Sequence, residues 1–235
     1  MGQRELPLGI RDCILVINGW GQRVNPYDGL YRFFRAAYHI WHARHAALLM
    51  HLTENANMGD VAAHVVGMGV ENIHVVPFSY GAGRGLVSLA DELDQRNRVI
   101  QTALLIDPVT RYGWATKYRA LGWLGRDLDY RVPANVRDVW CWRQVNHYSA
   151  FQPVGHRPVA QNEQTVIRRQ VVLGEAANLI RYAADIPAQD QRPNPHVTHK
   201  TIDSDPAVLD EVLDRLRQIV PPPEVAPPPQ RSAAA

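Results

Sequence analysis

Cysteine is scarce in this chain of 235 residues, which has only Cys13 and Cys141. Both lie in short apolar runs, and they are far apart in the sequence. A disulfide framework or a zinc site needs more cysteines at closer spacing, so neither is expected. We predict two free thiols that pack as small hydrophobic side chains in a buried sheet, a usage typical of a reducing compartment.

The chain also lacks an excess of charge and any long apolar run. Its 25 basic and 23 acidic residues give a net charge of +2. A net charge this small gives no electrostatic reason to expect a nucleic acid or an anionic membrane as partner. No run approaches the roughly 18–20 apolar residues of a membrane span, and residues 1–7 lack the pattern of a signal peptide. We therefore expect a cytoplasmic protein without a membrane span.

What is present is an alternation of strand and helix patterns. Short β-branched runs predict buried strands at residues 13–17, 73–78, 99–106 and 136–145. Helical patterns occupy residues 28–51, 60–66, 84–96 and 203–220, the last with Asp205 as the expected N-cap. Strands that alternate with helices predict an α/β fold with a mainly parallel sheet, which we place in a single domain over residues 8–220.

Two further segments stand apart from this alternation. Residues 108–134 contain an aromatic-rich insertion at a place where a cap would cover the ends of the strands. Residues 221–235 are rich in proline and predict a disordered or polyproline-type tail.

Ser79 is the candidate nucleophile. It follows an apolar strand pattern and precedes a helical one, and Gly81 lies two residues further on. This is the setting of the G-x-S-x-G nucleophile elbow, in which small residues let the chain turn sharply and present the hydroxyl. Pro77 stands where the first glycine is usual, although proline loses a ladder donor near the end of a strand. The alternative is that Ser79 caps the following helix.

An acid and a histidine follow in the order that a hydrolase triad requires. Asp107 ends the next predicted strand, where a carboxylate can orient an imidazole; alternatively it caps an Asp-Pro turn. His199, just ahead of the last helix, is the candidate base, with His196 as the alternative. Asp185 and Asp190 are the fallback acids.

Two backbone amides are the candidate donors of an oxyanion hole. One is the amide of Tyr80, the residue after the candidate nucleophile. The other comes from the turn at residues 18–21, in which Trp20 is the first choice and Gly21 the second. Glycine in this turn permits the close approach that backbone donation requires.

Taken together, these segments resemble the α/β-hydrolase superfamily over residues 13–220. The turn at residues 18–21 takes the place of the family's HG turn, with Asn18 where histidine is usual. The chain is similar to a group of bacterial and phage hydrolase-like proteins in four segments, namely 79–83, 106–109, 143–156 and 199–203. The resemblance implies a three-layer sandwich and a catalytic triad of Ser79, Asp107 and His199. It places the acid after the strand that follows the elbow.

The expected activity is hydrolysis of an ester or thioester of a small acyl substrate, with neither cofactor nor metal. A non-catalytic binding protein on a hydrolase scaffold is the alternative, because one fold hosts many functions. A nucleotide-binding loop at residues 81–85 is a weaker alternative. Leu86 stands at the third glycine position of G-x-G-x-x-G, and no Lys-Ser/Thr pair follows.

Overall fold

Seven parallel strands form the centre of the protein in the computed structural model, which describes residues 10–24, 29–110, 129–146 and 155–223. Their order across the sheet is β2-β1-β3-β4-β6-β8-β9, and every ladder among them is parallel. The predicted α/β fold with a mainly parallel sheet is therefore confirmed. The strands of this sheet are β1 (Asp12–Ile17), β2 (Ala47–Leu52), β3 (Asn72–Pro77), β4 (Ile100–Ile106), β6 (Val136–Gln144), β8 (Val166–Gly174) and β9 (Gln191–Pro193).

The described residues also form a second, two-stranded parallel sheet and five α-helices. The small sheet pairs β5 (Asp129–Arg131) with β7 (Arg157–Val159). The helices are α1 (Gly29–Ile40), α2 (Met58–Gly67), α3 (Val87–Asp94), α4 (Ala176–Tyr182) and α5 (Pro206–Ile219).

The helices cover both faces of the main sheet because successive side chains of each strand point to opposite faces. In β1, Leu15 and Ile17 pack in the cluster that contains the buried sides of α2 and α3. Ile14 and Val16 pack in a second cluster, with α1 and α5. The result is three layers, and strands buried on both faces explain the continuous apolar runs in the sequence.

The predicted helix over residues 28–51 is wrong in its second half. Helix α1 ends at Ile40, and the chain turns through His45, which has a φ of 55°. It then enters β2 at Ala47, which pairs with β1. Trp41 fixes this turn, since its indole Nε1 donates to the carbonyl of Val220 at 2.8 Å. The sequence has no helix-breaking residue at this point, so tertiary contacts determine where α1 ends.

Other predictions agree with the structure to within a few residues or fall outside it. Asp205 caps α5, since its carboxylate accepts from the amides of the second and third residues that follow. Cys13 and Cys141 are buried in the main sheet, and neither is in a disulfide bond. The sequence patterns do not predict α4, β8 or β9. Residues 111–128 of the predicted cap and 224–235 of the predicted tail lie outside the described residues.

Candidate active site

The candidate site lies where the strand order of the sheet reverses. Strand β2, which follows β1 in the sequence, lies on one side of β1 in the sheet, and β3 lies on the other side. In open parallel sheets, ligands bind in the crevice at the carboxyl ends of the strands at such a point. The turn after β1 and the elbow after β3 meet there. A Cβ atom on Gly19 would lie only 2.9 Å from the Cβ of Ser79.

Ser79 sits in a left-handed backbone conformation, with a φ of 53° and 5% of its surface exposed. That conformation costs a residue with a side chain about 1–2 kcal/mol. Neighbouring strands enforce it: the amide of Phe78 donates to Ile17 O of β1, and the amide of Ser79 donates to Ile106 O of β4, each at 3.0 Å. Backbone strain of this kind clusters at functional sites, so it supports a functional interpretation.

Glycines after Ser79 let the next turn approach the protein backbone closely. Gly81 to Leu86 form a π-helical turn ahead of α3. A Cβ on Gly81 would lie 2.5 Å from the carbonyl oxygens of Ile17 and Asn18, and one on Gly85 would lie 2.7 Å from Ile17 Cγ2. Contacts with β1 therefore account for these glycines without a phosphate ligand.

Pro77 fits the end of β3 because the ladder to β4 is already interrupted there. The last regular pair between the two strands joins Val75 to Ala103. Contact resumes at an isolated bridge between Phe78 and Ile106. The missing amide hydrogen of Pro77 falls in this gap, whereas on the other side of β3 Pro77 is still paired with Ile17 of β1.

A continuous hydrogen-bonded chain joins the three residues of the expected triad. Ser79 Oγ lies 2.6 Å from His199 Nε2, and His199 Nδ1 lies 2.6 Å from Asp107 Oδ2. With the proton on Nδ1, the imidazole donates to the carboxylate and its Nε2 accepts from the serine hydroxyl. Asp107 is fully buried, whereas 13% of the His199 side chain is exposed.

His199 lies on the loop between β9 and α5, which local contacts hold in place. Its ring stacks on Phe78 with 5.3 Å between centroids. The residues on either side form a tight turn, in which the amide of Thr198 donates to Thr201 Oγ1 at 2.9 Å. The amide of Ile202 closes the turn on Thr198 O at 3.0 Å.

Asp107 directly follows β4 and also has a left-handed backbone, with a φ of 45°. Its carboxylate accepts from the backbone amide of Gln144 at Oδ1, at 2.8 Å, and from Gln144 Nε2 at Oδ2, at 3.3 Å. A buried carboxylate is tolerated when such donors replace water. Together with the His199 contact, these bonds give both carboxylate oxygens a donor.

The alternative acids and base lie elsewhere. His196 is exposed and is absent from the hydrogen-bonded chain. Asp185 lies 3.6 Å from Arg157, and Asp190 lies 2.6 Å from Arg169. The structure therefore brings the first-choice residues together and leaves these three in other surroundings.

The turn after β1 is fixed by side-chain hydrogen bonds. The amide of Gly19 donates to Gln22 Oε1 at 2.8 Å, and the amide of Gly21 faces Glu54 Oε1 at 3.4 Å. Gln22 Nε2 donates to Asp203 Oδ2 at 2.6 Å, which ties this turn to the segment that follows His199. Trp20, the expected oxyanion donor of the turn, is 68% exposed.

Asn18 and His51 form a hydrogen-bonded pair behind this turn that the sequence patterns did not predict. Asn18 is fully buried, and its Oδ1 lies 2.7 Å from His51 Nε2. Burial lowers the pKa of His51 to about 4. The imidazole is therefore neutral near pH 7 and donates to the asparagine oxygen.

His156 is a buried histidine beside the site. Its Nδ1 accepts from Thr110 Oγ1 at 3.0 Å. Burial, and then the proximity of His199, lowers the pKa of His156 to about 4. His156 is thus neutral near pH 7 and adds no charge next to the candidate base.

Comparison with known proteins adds no functional assignment, because the sequence matches neither a protein-family model nor a curated protein. Within residues 10–24, 29–110, 129–146 and 155–223, no cluster of three or more potential ligand side chains is arranged to hold a metal ion. In the same part of the chain, none of the helices has the length and apolar character needed to cross a membrane.

Gly155 is the position where an added methyl group disturbs the site most directly. A Cβ there would overlap Asp107 Oδ1 and lie 2.8 Å from Arg143 Cβ. We expect Gly155→Ala to lower the free energy of unfolding by about 1–3 kcal/mol, the usual cost of overpacking. Urea denaturation followed by circular dichroism measures this loss.

The matched control is Gly67→Ala at the end of α2. A Cβ at Gly67 would have no atom within 4 Å. Alanine there is expected to be neutral or to stabilise the helix by up to about 1 kcal/mol. Equal unfolding free energies for the two variants would contradict the tight packing of Gly155 against Asp107.

Proposed function

We propose that this protein is a serine hydrolase that cleaves an ester or thioester through an acyl-enzyme formed on Ser79. One observation carries the proposal: Ser79, His199 and Asp107 form an unbroken hydrogen-bonded chain, with both distances at 2.6 Å. These residues come from three separate segments and meet at the carboxyl ends of the strands. Nucleophile, base and orienting acid are the parts that acyl transfer requires.

The proposed reaction has two halves. In the first, His199 Nε2 takes the hydroxyl proton of Ser79 while Oγ attacks the substrate carbonyl carbon. The tetrahedral intermediate collapses, and His199 returns the proton to the leaving alcohol or thiol. In the second half, His199 deprotonates a water molecule that attacks the acyl-enzyme, and the acid is released as Oγ is reprotonated. Asp107 stabilises the imidazolium formed in each half.

The proposed oxyanion donors are the backbone amides of Tyr80 and Trp20. Tyr80 directly follows Ser79, and the turn that contains Trp20 packs against the elbow through Gly19. Gly21 is the weaker choice because its amide faces the Glu54 carboxylate. Backbone donors fixed in this way stabilise a developing oxyanion without reorganisation.

Membership of the α/β-hydrolase superfamily is part of the proposal. Support comes from the order serine, acid, histidine along the chain and from the serine at a strand-to-helix turn. The acid at the end of the next strand is an alternative placement in this superfamily, in which one strand later is commoner. The proposed substrate is a small acyl compound. The proposed setting is the cytoplasm, in keeping with the reduced cysteines.

A fluorophosphonate probe tests the proposal because it reacts covalently with activated serine hydroxyls. We expect the wild type to be labelled, Ser79→Ala to remain unlabelled, and Ser204→Ala to be labelled like the wild type. Ser204 is a suitable control because it is exposed and its hydroxyl donates only to a nearby carbonyl, that of Thr201. An unlabelled wild type would favour the non-catalytic binding protein. Labelling that survives Ser79→Ala would overturn the assignment of Ser79 as the nucleophile.

A further inference from the structure

Two buried amide side chains connect the carboxyl end of β6 with both the acid and the base of the proposed triad. They belong to Gln144, which is fully buried, and Asn146, which is 2% exposed. We propose that these two side chains are positioning residues that fix the orientation of the Asp107 carboxylate and hold the His199 loop in register. This inference rests on the proposed function, since it concerns the same site.

Gln144 contacts the acid through its main chain and its side chain. Its amide N–H donates to Asp107 Oδ1 at 2.8 Å, and its Nε2 donates to Oδ2 at 3.3 Å. Oδ2 is also the oxygen that accepts from His199 Nδ1. Gln144 thus contacts both carboxylate oxygens and fixes the rotation of the group, with Oδ2 directed at His199 Nδ1.

Asn146 carries the connection to the loop of the base. Its Nδ2 donates to the carbonyl oxygens of Asn194 and Val197, at 2.9 and 2.8 Å. Val197 lies two residues before His199, so the loop is held from the end of β6. A side chain that bridges two carbonyls of one loop fixes the path of that loop.

Backbone partners determine the orientation of both amides. Gln144 Oε1 accepts from the amide of Asn146 at 2.8 Å, which leaves Nε2 to face Asp107. Asn146 Oδ1 accepts from the amide of Glu175 at 2.7 Å, which leaves Nδ2 to face the loop. If either side-chain amide were rotated by 180°, its NH₂ group would face a backbone N–H, and two donors would oppose each other. The two side chains therefore form one hydrogen-bonded connection from Asp107 to the loop that contains His199.

Gln144→Met tests the contact with the acid because methionine has a similar length and no strong hydrogen-bonding group. We expect kcat for a p-nitrophenyl ester to fall about tenfold with little change in KM, as outer-shell substitutions do. The acid limb of the pH profile of kcat/KM should move upward by about half a unit, because Asp107 loses a donor and stabilises the imidazolium more strongly. A merely structural role would leave that limb unmoved.

Asn146→Asp tests the contact with the loop, and Asn135→Asp is its matched control. Asn135 lies at the opposite end of β6, and its Nδ2 likewise faces two carbonyls, those of Ala90 and Arg98. Both substitutions remove a side-chain donor that faces two carbonyl oxygens, and both should lower the melting temperature. Only Asn146→Asp is expected to slow fluorophosphonate labelling of Ser79, by at least about tenfold.

The outcomes separate this inference from the proposed function. A wild type that resists the probe overturns both. Ser79-dependent labelling of the wild type, combined with folded Gln144→Met and Asn146→Asp variants that match it in rate and pH profile, overturns the positioning role alone. If Asn146→Asp fails to fold, the pH profile of Gln144→Met decides.

Discussion

Replacing Ser79 with alanine, His199 with alanine, or both residues together is expected to lower kcat by a similar factor, about 10⁴- to 10⁶-fold. Nucleophile and base act as one unit, so removing either disables the same step and the losses do not multiply. The 2.6 Å contact between Ser79 Oγ and His199 Nε2 is the structural basis of this expectation. Kinetics with p-nitrophenyl acetate on the two single variants and the double variant measure it.

His196→Ala is the matched control for the histidine substitution. His196 lies three residues earlier on the same loop and is exposed. Its replacement should leave kcat within about twofold of the wild type, as expected of a surface position. Multiplicative losses for Ser79 and His199, or inactivation by His196→Ala, would contradict the assignment of the base.

Asp107→Asn is expected to lower kcat about 10³- to 10⁴-fold while the protein stays folded. The backbone amide of Gln144 donates to Oδ1 at 2.8 Å, so the oxygen of the new amide takes that position. Its NH₂ group then faces His199 Nδ1, which must become an acceptor. The proton moves to Nε2, and the imidazole can no longer accept from Ser79.

The control for this substitution is Asp185→Asn. Asp185 is 64% exposed and lies 3.6 Å from Arg157, so its carboxylate is expected to contribute little. Steady-state kinetics on both variants, with near-ultraviolet circular dichroism to verify packing, make the comparison. Near-normal activity of Asp107→Asn would remove that residue from the proposed triad.

Much of the sheet is predictable from the sequence because its central strands are buried on both faces. The apolar runs that become β1, β3, β4 and β6 were located to within a residue or so of their bounds. The strand β2 was not, since a short apolar run without glycine or proline suits a helix as well as a strand. The turn at His45 that separates α1 from β2 depends on contacts that only the folded chain supplies.

The candidate site was predictable where chain order and strand ends determine it. Ser79 and Asp107 end adjacent strands, so the parallel sheet brings them to the same edge. The choice between His196 and His199 depends on the turn that follows β9, which the sequence patterns did not predict. Gln144 was missed because its interaction with Asp107 depends on the register between β4 and β6.

The wide spacing of the candidate triad along the chain has a consequence for folding. Ser79 and His199 are 120 residues apart, and His199 and Asp107 are 92 apart. Pairing parallel strands that lie so far apart in the sequence closes large loops, and the entropy lost in closing them is offset only after the contacts have formed. A sheet of this kind therefore assembles slowly. No fragment that lacks α5 and its preceding loop contains the complete chain of hydrogen bonds. Reactivity at Ser79 would therefore appear only late in folding, once the last strand and the loop after it have joined the sheet.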